Sequence, residues 1–596
     1  MWCATSYVDL LIVGAGPAGL AAASWAARYN MSTQIIDQKS GRKNSGHADG
    51  LQSRTLEILE SFGIVDPILK LGVPEVDMCY WVMNPETGKI ERNGRDAAET
   101  GRMSRFGQIL LNQGSVEQNF IDHLRAKSNI RVEWNRRAVS LDLTASGDDQ
   151  ETFPVAVGVA CLDEHGNPQP VEASQMIHAR YLIACDGAHS WVRHKLNVSA
   201  DGPDKDTDWG VLDIVPITNF PDIRQACSVQ SGPYGSIMMV PRENKLTRFY
   251  IRLQHGLRED NSSYSKDPPR ALVEMAKKAM WPYDLAYKRC DWCSYYTTSR
   301  RVVQDFRPHK RIFLAGDAAH THSLKGGQGM NVSIQDTYNL VWKLGAVLTE
   351  GAHPDILETY DSERRCVATK LMDLDANLVR AFEDQNSGKS GGAHEVRDRY
   401  AGFMAGVDVT YSPSVLVADG VVNGNSALAH KVKLGMRLAS ERVTYHCDGT
   451  SVHLAQRLPS DGSWKLLVFP ADLEKPDGMK ALKVFADYFS DNSHLAHRSK
   501  DAEAIGPLID VLLIHSGPRN TDRLLDLPRI FHPFDEVMGW DYWKVFADVD
   551  GQAYSGYGID GSGGGCLILC RPDQHVAWVG ALDDVVGLDN FFSFFS

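Results

Sequence analysis

The chain has 596 residues, too many for one hydrophobic core, so two or three domains are expected. Its 43% hydrophobic and 23% charged residues are those of an ordinary globular protein, and a net charge of −13 argues against a general nucleic-acid binder or a protein of anionic membrane surfaces. No apolar run reaches the roughly 18 residues of a membrane span, and 11 scattered cysteines, odd in number, fit a reducing, cytoplasmic setting.

The N-terminus lacks a basic leader and contains Asp9, so Val8 to Val13 reads as an apolar strand and not as a signal peptide. It enters Gly14-x-Gly16-x-x-Gly19 and an Ala-rich helix. Gly14 permits the tight turn, Gly16 lets a pyrophosphate approach the backbone, and Gly19 lets the helix pack on the strand. Thr33 to Ile36 reads as a second strand ending in Asp37, 18 residues past Gly19, where a carboxylate is placed to bind a ribose diol with Gln38 beside it. A dinucleotide-binding unit is the expectation. The basic loop that follows holds Lys39, Arg42 and Lys43, and Asp49-Gly50 precedes a helical period beginning near Gln52. Asp49 reads either as a functional carboxylate or as a helix cap worth about 1 kcal/mol.

Leu110 to Gln113 is a strand end before another helix. Arg180 to Arg193 forms a further strand–turn–helix around Asp186-Gly187, and Arg311 to His322 another around Gly316-Asp317. Gly326-Gly-Gln-Gly329-Met330-Asn331 opens a long helix running to Leu348. A carboxylate at a strand end can hold a chain of sugar-like hydroxyls, and a Gly-rich helix start offers free N–H groups to an electron-rich ring. Between about 210 and 300, Gly210–Pro216, Gly235–Pro241 and Thr247–Leu253 read as sheet strands. Residues 386–429 read as a linker, rich in Gly and Ser at its start. From 430 to 596 the expected order is strand Trp464–Phe469, helix Gly478–Phe489, strand Val511–Ile514, then Trp543–Asp548, Cys566–Cys570 and Val576–Val579.

Two patterns are set aside. Cys290-Asp-Trp-Cys293 lies on an expected strand, without a second pair at metal spacing, and reads as two ordinary thiols. His320 and His322 lack a third ligand at suitable spacing, so no metal site is expected.

The three motifs around Gly14, Asp186 and Gly316-Asp317, in that order over the first half of the chain, resemble the single-component flavin aromatic hydroxylases. Ala48-Asp-Gly-Leu-Gln-x-Arg54-Thr-Leu, Phe220-Pro-Asp-Ile-Arg224 and Pro241-Arg-Glu243 resemble the phenol 2-monooxygenase and 3-hydroxybenzoate hydroxylase branch. The resemblance implies an α/β architecture. A Rossmann-type FAD-binding domain over 1–385 is interleaved with a sheet-rich substrate domain over about 210–300, and a thioredoxin-like domain over 430–596 lacks redox cysteines, since Pro470-Ala-Asp-Leu-Glu-Lys stands where they belong. It further implies a homodimer, a lid near Ser199–Asp208, and hydroxylation of a phenolic substrate with NADPH and O₂ through a flavin C4a-hydroperoxide.

Residue by residue, the resemblance gives Asp49 and Tyr296 as the proton-handling pair, with Lys288 or Arg289, of which Lys288 is preferred, as the nearby cation. Core tyrosine and solvated lysine are the alternatives for Tyr296 and Lys288. Arg54, Gln113 and Asp317 match FAD-contacting positions, alongside Gly14, Gly16, Gly19, Asp37, Gln38, Asp186, Gly316, Gly329, Met330 and Asn331. Lys39, Arg42 and Lys43 offer cations for the 2′-phosphate of NADPH. A hydroxybenzoate, a larger phenolic intermediate, or a flavin-binding protein without catalysis are the alternatives.

Overall fold

The computed structural model describes residues 4–595 except 43, 75, 98–103, 144–151, 170–173, 203–207, 254–266, 298, 324–325, 387–391, 421–424, 471–472, 492–507 and 562–563. Lys43 and half of the expected lid, residues 203–207, therefore lie outside the described residues.

Strands Val132–Trp134, Thr33–Asp37, Ala4–Val13, Gln175–Ala184 and Ile312–Leu314 run parallel, and the pair Arg136–Leu143 and Val155–Cys161 extends their sheet in antiparallel sense. Leu10–Ile12, Ile35–Ile36, Leu182–Ala184 and Ile312–Leu314 have no exposed surface, as a parallel sheet covered on both faces requires. Helices Pro17–Arg28, Gln113–Lys127 and Gly329–Thr349 pack together beside it. A Cβ at Gly19 would collide with the Gly14 carbonyl, so glycine is what lets the first helix sit this close to the first strand.

The second sheet runs in the order Leu285–Thr297, Asp208–Thr218, Thr247–Arg252, Ser236–Pro241, Ala226–Gln230, Met78–Met83, Ile90–Asp96. Two of its seven strands thus come from residues 78–96, well before the stretch the sequence marks for this sheet. Strand alternation sorts its side chains. Leu212, Ile214, Ile237, Met239, Phe249 and Ile251 join Leu272, Val273 and Ala276 of helix Pro268–Ala279 in one core. The opposite face carries Trp209, Val211, Tyr250, Trp292 and Tyr296 in a separate cluster.

The third sheet has the order Ser451–His453, Arg442–Tyr445, Val545–Ala547, Ile509–His515, Trp464–Phe469, Cys566–Cys570, Val576–Ala581. Trp464–Phe469 and Ile509–His515 are parallel, with helix Pro476–Asp491 between them in the chain, while Cys566–Cys570 and Val576–Ala581 form an antiparallel hairpin. This region is not set off from the first. Trp464, Leu466 and Val468 share one core with Leu10, Trp25 and Trp342, and the Trp342 and Trp464 rings meet edge to face at 5.8 Å.

The stretch read as a linker is more ordered than its composition suggests. It holds helices Gly392–Arg399 and Ala401–Met404, and Phe403, Val409, Tyr411 and Val417 are buried against Leu371, Leu374 and Leu378 of helix Thr359–Asn386. Isolated apolar residues between glycines and polar residues carry no periodicity, which hides such packing from a sequence reading.

Candidate active site

Gly14, at φ +105°, stands against the Cys185 carbonyl, where no Cβ fits. Gly16 opens the first helix without any side-chain cap, and a Cβ there would meet nothing, so a backbone N–H end faces free space. The buried Asp37 carboxylate accepts from the Ala15 and Lys39 N–H groups, each at 2.8 Å, which places it beside the glycine turn, with Gln38 exposed next to it. Asp186 accepts from Val192 N–H at 3.1 Å through Oδ2, while its buried Oδ1 has no partner and burial pushes its pKa up. Gly316 turns at φ +59° and presents Asp317 at the surface. Helix Gly329–Thr349 likewise starts without a side-chain cap. Met330 is buried in its first turn, and Asn331 fastens that turn to the Asp49 loop, accepting from Gln52 N–H at 2.8 Å and donating to the Gly50 carbonyl at 2.8 Å. Gln113 holds the same loop from the other side through Ala48 N–H, at 3.3 Å.

Asp49 itself is no helix cap. The helix it precedes is Ser53–Ser61, with Gln52 at the cap position, and the Asp49 carboxylate is buried elsewhere. It lies 3.3 Å from Arg248 Nη1, 3.5 Å from Arg242 Nη1 and 3.4 Å from the Tyr250 hydroxyl. Arg248 is fixed by Asp213, which accepts from Nε and Nη2 at 2.7 Å each, and it also donates to the His47 carbonyl. Glu243 accepts from Arg242 at 3.0 and 2.8 Å. Strand register explains the assembly: Arg248, Asp213 and Trp292 form one cross-strand row, Tyr250, Val211 and Ser294 the next, and Trp209 with Tyr296 the third. The Trp292 indole lies over Arg248 at 5.2 Å and against Gly46, where any side chain would run into it. Burial, reinforced by the Asp49 charge, pushes the Tyr250 hydroxyl far up, and burial with Tyr250 nearby does the same to Tyr296. Both stay protonated donors at neutral pH.

One family model, described as an FAD binding domain, matches residues 7–375, and another, described as the phenol hydroxylase C-terminal dimerisation domain, matches residues 409–596. A phenol 2-monooxygenase of Aspergillus fumigatus is 35% identical, over 99% of this chain and 96% of its own.

The chain belongs to the phenol hydroxylase family of FAD-dependent monooxygenases.

A 3-hydroxybenzoate 4-monooxygenase of Comamonas testosteroni is 33% identical over 99% of this chain and 95% of its own. Among solved structures, the flavin-dependent monooxygenase PieE, in complex with FAD and substrate, shares the fold with a TM-score of 0.71 at 19% identity, covering 99% of each chain. For a FAD-dependent aromatic monooxygenase, several features of the chain fit the cofactor: open backbone at Gly16, Asp37 beside it, an unpartnered oxygen on Asp186 and an uncapped helix start before Gly329.

Three sequence readings of this hydroxylase's site change. Lys288 is exposed and eight residues along its strand from Tyr296, about 26 Å at 3.3 Å per residue; Arg289 is exposed too and pairs with Asp291 at 2.6 Å. The cations at the carboxylate are Arg242 and Arg248. Both were missed because they lie far from Tyr296 in sequence, Arg242 in the turn just after strand Ser236–Pro241 and Arg248 on strand Thr247–Arg252, although alternation in Thr247-Arg-Phe-Tyr-Ile-Arg252 puts Arg248 and Tyr250 on one face. The Arg54 guanidinium is committed elsewhere, donating to Gln574 at 2.6 Å, the Asp573 carbonyl at 2.8 Å and Glu57 at 3.1 Å. Its helix position is as expected, but the C-terminal hairpin that claims it is invisible in the local pattern. Finally, Tyr250, not Tyr296, is the tyrosine in direct reach of Asp49.

Proposed function

We propose that the protein hydroxylates an uncharged phenolic ring with NADPH as reductant and O₂ as oxidant. The observation that carries this reading is the buried Asp49 carboxylate, set between two guanidinium groups and Tyr250 at the foot of an aromatic sheet face. An electrophilic hydroxylation needs the ring as phenolate. With a phenol pKa of about 10, that costs about 4 kcal/mol at pH 7.

This site can offset that cost. The substrate hydroxyl passes its proton to the Tyr250 oxygen, directly or through the adjacent Tyr296, and the proton of Tyr250 moves to the Asp49 carboxylate. Arg248 and Arg242 stabilise the negative charge as it moves from Asp49 to the substrate oxygen. Trp209, Trp292 and Val211 supply the apolar wall that orients the ring and excludes water. Bound FAD supplies the electrons and the activated oxygen.

Arg248 already faces Asp213 and Asp49, and Arg242 faces Glu243. Arg242 Nη1 has no hydrogen-bond partner, but Asp49, Asp213 and Glu243 already outnumber the two guanidinium groups, so no positive charge is left over for a substrate carboxylate, which favours a neutral phenol over a hydroxybenzoate. A panel of phenols and hydroxybenzoates scored by NADPH consumption and product mass tests the reading. Faster coupled turnover of the acids would reverse the preference.

The preference for NADPH over NADH rests on Lys39 and Arg42. Lys39 pairs with Asp37 at 3.3 Å and Arg42 donates to Gln118 at 2.7 Å, so a 2′-phosphate has to compete for both. Equal kcat/KM for the two nucleotides would dispose of that preference. The C-terminal region we read as a thioredoxin-like module without redox work. Its parallel pair, crossing helix and closing hairpin support this, though Ala471 and Asp472 of the expected thiol position lie outside the described residues. We read it as a homodimer contact and the enzyme as cytoplasmic. The free state of all ten described cysteines supports that location.

A further inference from the structure

One polar cavity plays no part in this chemistry. It lies where Gln335 and Asn339 of helix Gly329–Thr349 meet Arg364 of helix Thr359–Asn386, Tyr411 of the connecting stretch, and Asp573 and His575 of the C-terminal hairpin turn. All six are buried, and the space has room for about one water-sized or monatomic occupant.

Its electrostatics are one-sided. Arg364 donates Nε to Asp336 at 2.8 Å and Nη1 to the Tyr411 hydroxyl at 3.1 Å, but its buried Nη2 has no hydrogen-bond partner. The Tyr411 hydroxyl, accepting from Arg364, keeps its own proton to donate. Arg54, also on the wall, shares Glu57 with Arg437. Asp573 is the carboxylate on the wall, and it already takes bonds from Arg571 at 3.0 and 2.6 Å. The buried groups here, Arg54, Arg364, Arg437, Arg571 and Lys343 against Glu57, Asp336, Glu363 and Asp573, make five cations to four carboxylates. A buried cation in excess is costly, and an anion in the cavity removes the cost.

We propose that this cavity binds a small monovalent inorganic anion of the halide type, held by Arg364 Nη2 and the Tyr411 hydroxyl, and that the ion clamps the C-terminal region onto the flavin-binding region. None of its ligands belongs to the Asp49 cluster, so the proposal stands apart from the assigned reaction.

Bromide is the probe. Crystals of the FAD-loaded enzyme soaked in sodium bromide should show an anomalous peak within hydrogen-bond distance of Arg364 Nη2, and water alone at that point overturns the site. In solution, Tm should rise saturably by about 2 °C in chloride or bromide relative to gluconate of equal ionic strength. A Tm indifferent to the anion overturns the clamp. Gln335→Glu places a fixed carboxylate on the same wall and should abolish the halide response with the flavin spectrum intact. As a second variant, Tyr411→Phe should shift the halide midpoint upward, and an unchanged midpoint counts against the assigned ligands.

Discussion

Arg248 touches Asp49 at 3.3 Å while Asp213 clasps its other two nitrogens from the neighbouring strand at 2.7 Å each. The carboxylate proposed as proton acceptor is therefore positioned by a guanidinium that is itself positioned, and the three groups form one unit.

Asp49→Asn should keep FAD and fold but slow hydroxylation by about 10²-fold, with NADPH oxidation running uncoupled from product. With the acceptor gone, the residual rate should climb with pH toward the phenol's own pKa of about 10. Tyr250→Phe should lower the coupled rate more than Tyr296→Phe, because Tyr250 is the one within 3.4 Å of Asp49. Full coupling in both tyrosine variants would remove the proton path. The measurement is product formed per NADPH consumed, across pH.

Arg248→Met should cost about 3–5 kcal/mol of stability, since it strands Asp213 and weakens the hold on Asp49 at once. Lys288→Ala, on an exposed part of the same sheet, should leave both denaturation midpoint and kcat/KM unchanged. A loss of activity in Lys288→Ala would restore the cation that the sequence resemblance preferred.

Cys566→Ala with Cys570→Ala should leave turnover intact. The two thiols lie on one face of a buried strand, about 13 Å apart at 3.3 Å per residue, beyond disulfide reach. Burial pushes the Cys566 thiol up to about 12 and Cys570 higher still, so neither is a thiolate at pH 7. Labelling of these two thiols in the unmutated protein should be slow until it unfolds, in contrast to the exposed Cys366.

Stability should fall on acidification in two stages. Burial, with Arg28 and Lys127 nearby, holds His123 down at about 4, and burial with His446 nearby does the same to His515. Both pKa values lie below the ordinary 6.5, so the unfolded chain binds more protons between pH 6.5 and 4, and stability is lost as pH falls through that window. Burial works to raise Glu363, but Arg571 and Lys343 outweigh it and hold the carboxyl at about 2. Its contribution, complete above pH 4.5, is lost between 4.5 and 2. His123→Leu, which removes a ring whose Nε2 is buried without a partner, should flatten the first stage when Tm is followed from pH 7.5 to 4.5.

The glycine turns, Asp37, Asp186 and the start of helix Gly329–Thr349 were legible in the sequence because each is a local feature, written within a few residues of the strand that delivers it. Asp49 was legible as a resemblance, and its surroundings were not. Arg248 and Asp213 are brought to it by sheet register, and Arg242 by the turn between two of the strands; register between residues 35 apart leaves no mark on either strand alone. Arg54 failed for the same reason at longer range, since its acceptors at 573 and 574 come from the far end of the chain.

That last arrangement dictates when this enzyme can finish folding. Glu363 is locked by Arg571, 208 residues later in the chain. At about 5–20 residues per second, synthesis takes roughly 10–40 s to cover that distance. Throughout it, Glu363 keeps Lys343 and Asn339 but lacks Arg571, and for about the first half the wall of helix Gly329–Thr349 also lacks Trp464. A stop codon anywhere before Arg571 should therefore yield insoluble chain with poor flavin retention, even with every glycine motif present. The nascent polypeptide should therefore gain from holdase protection until its final hairpin leaves the ribosome, which the soluble yield of the full chain with and without an added holdase would check.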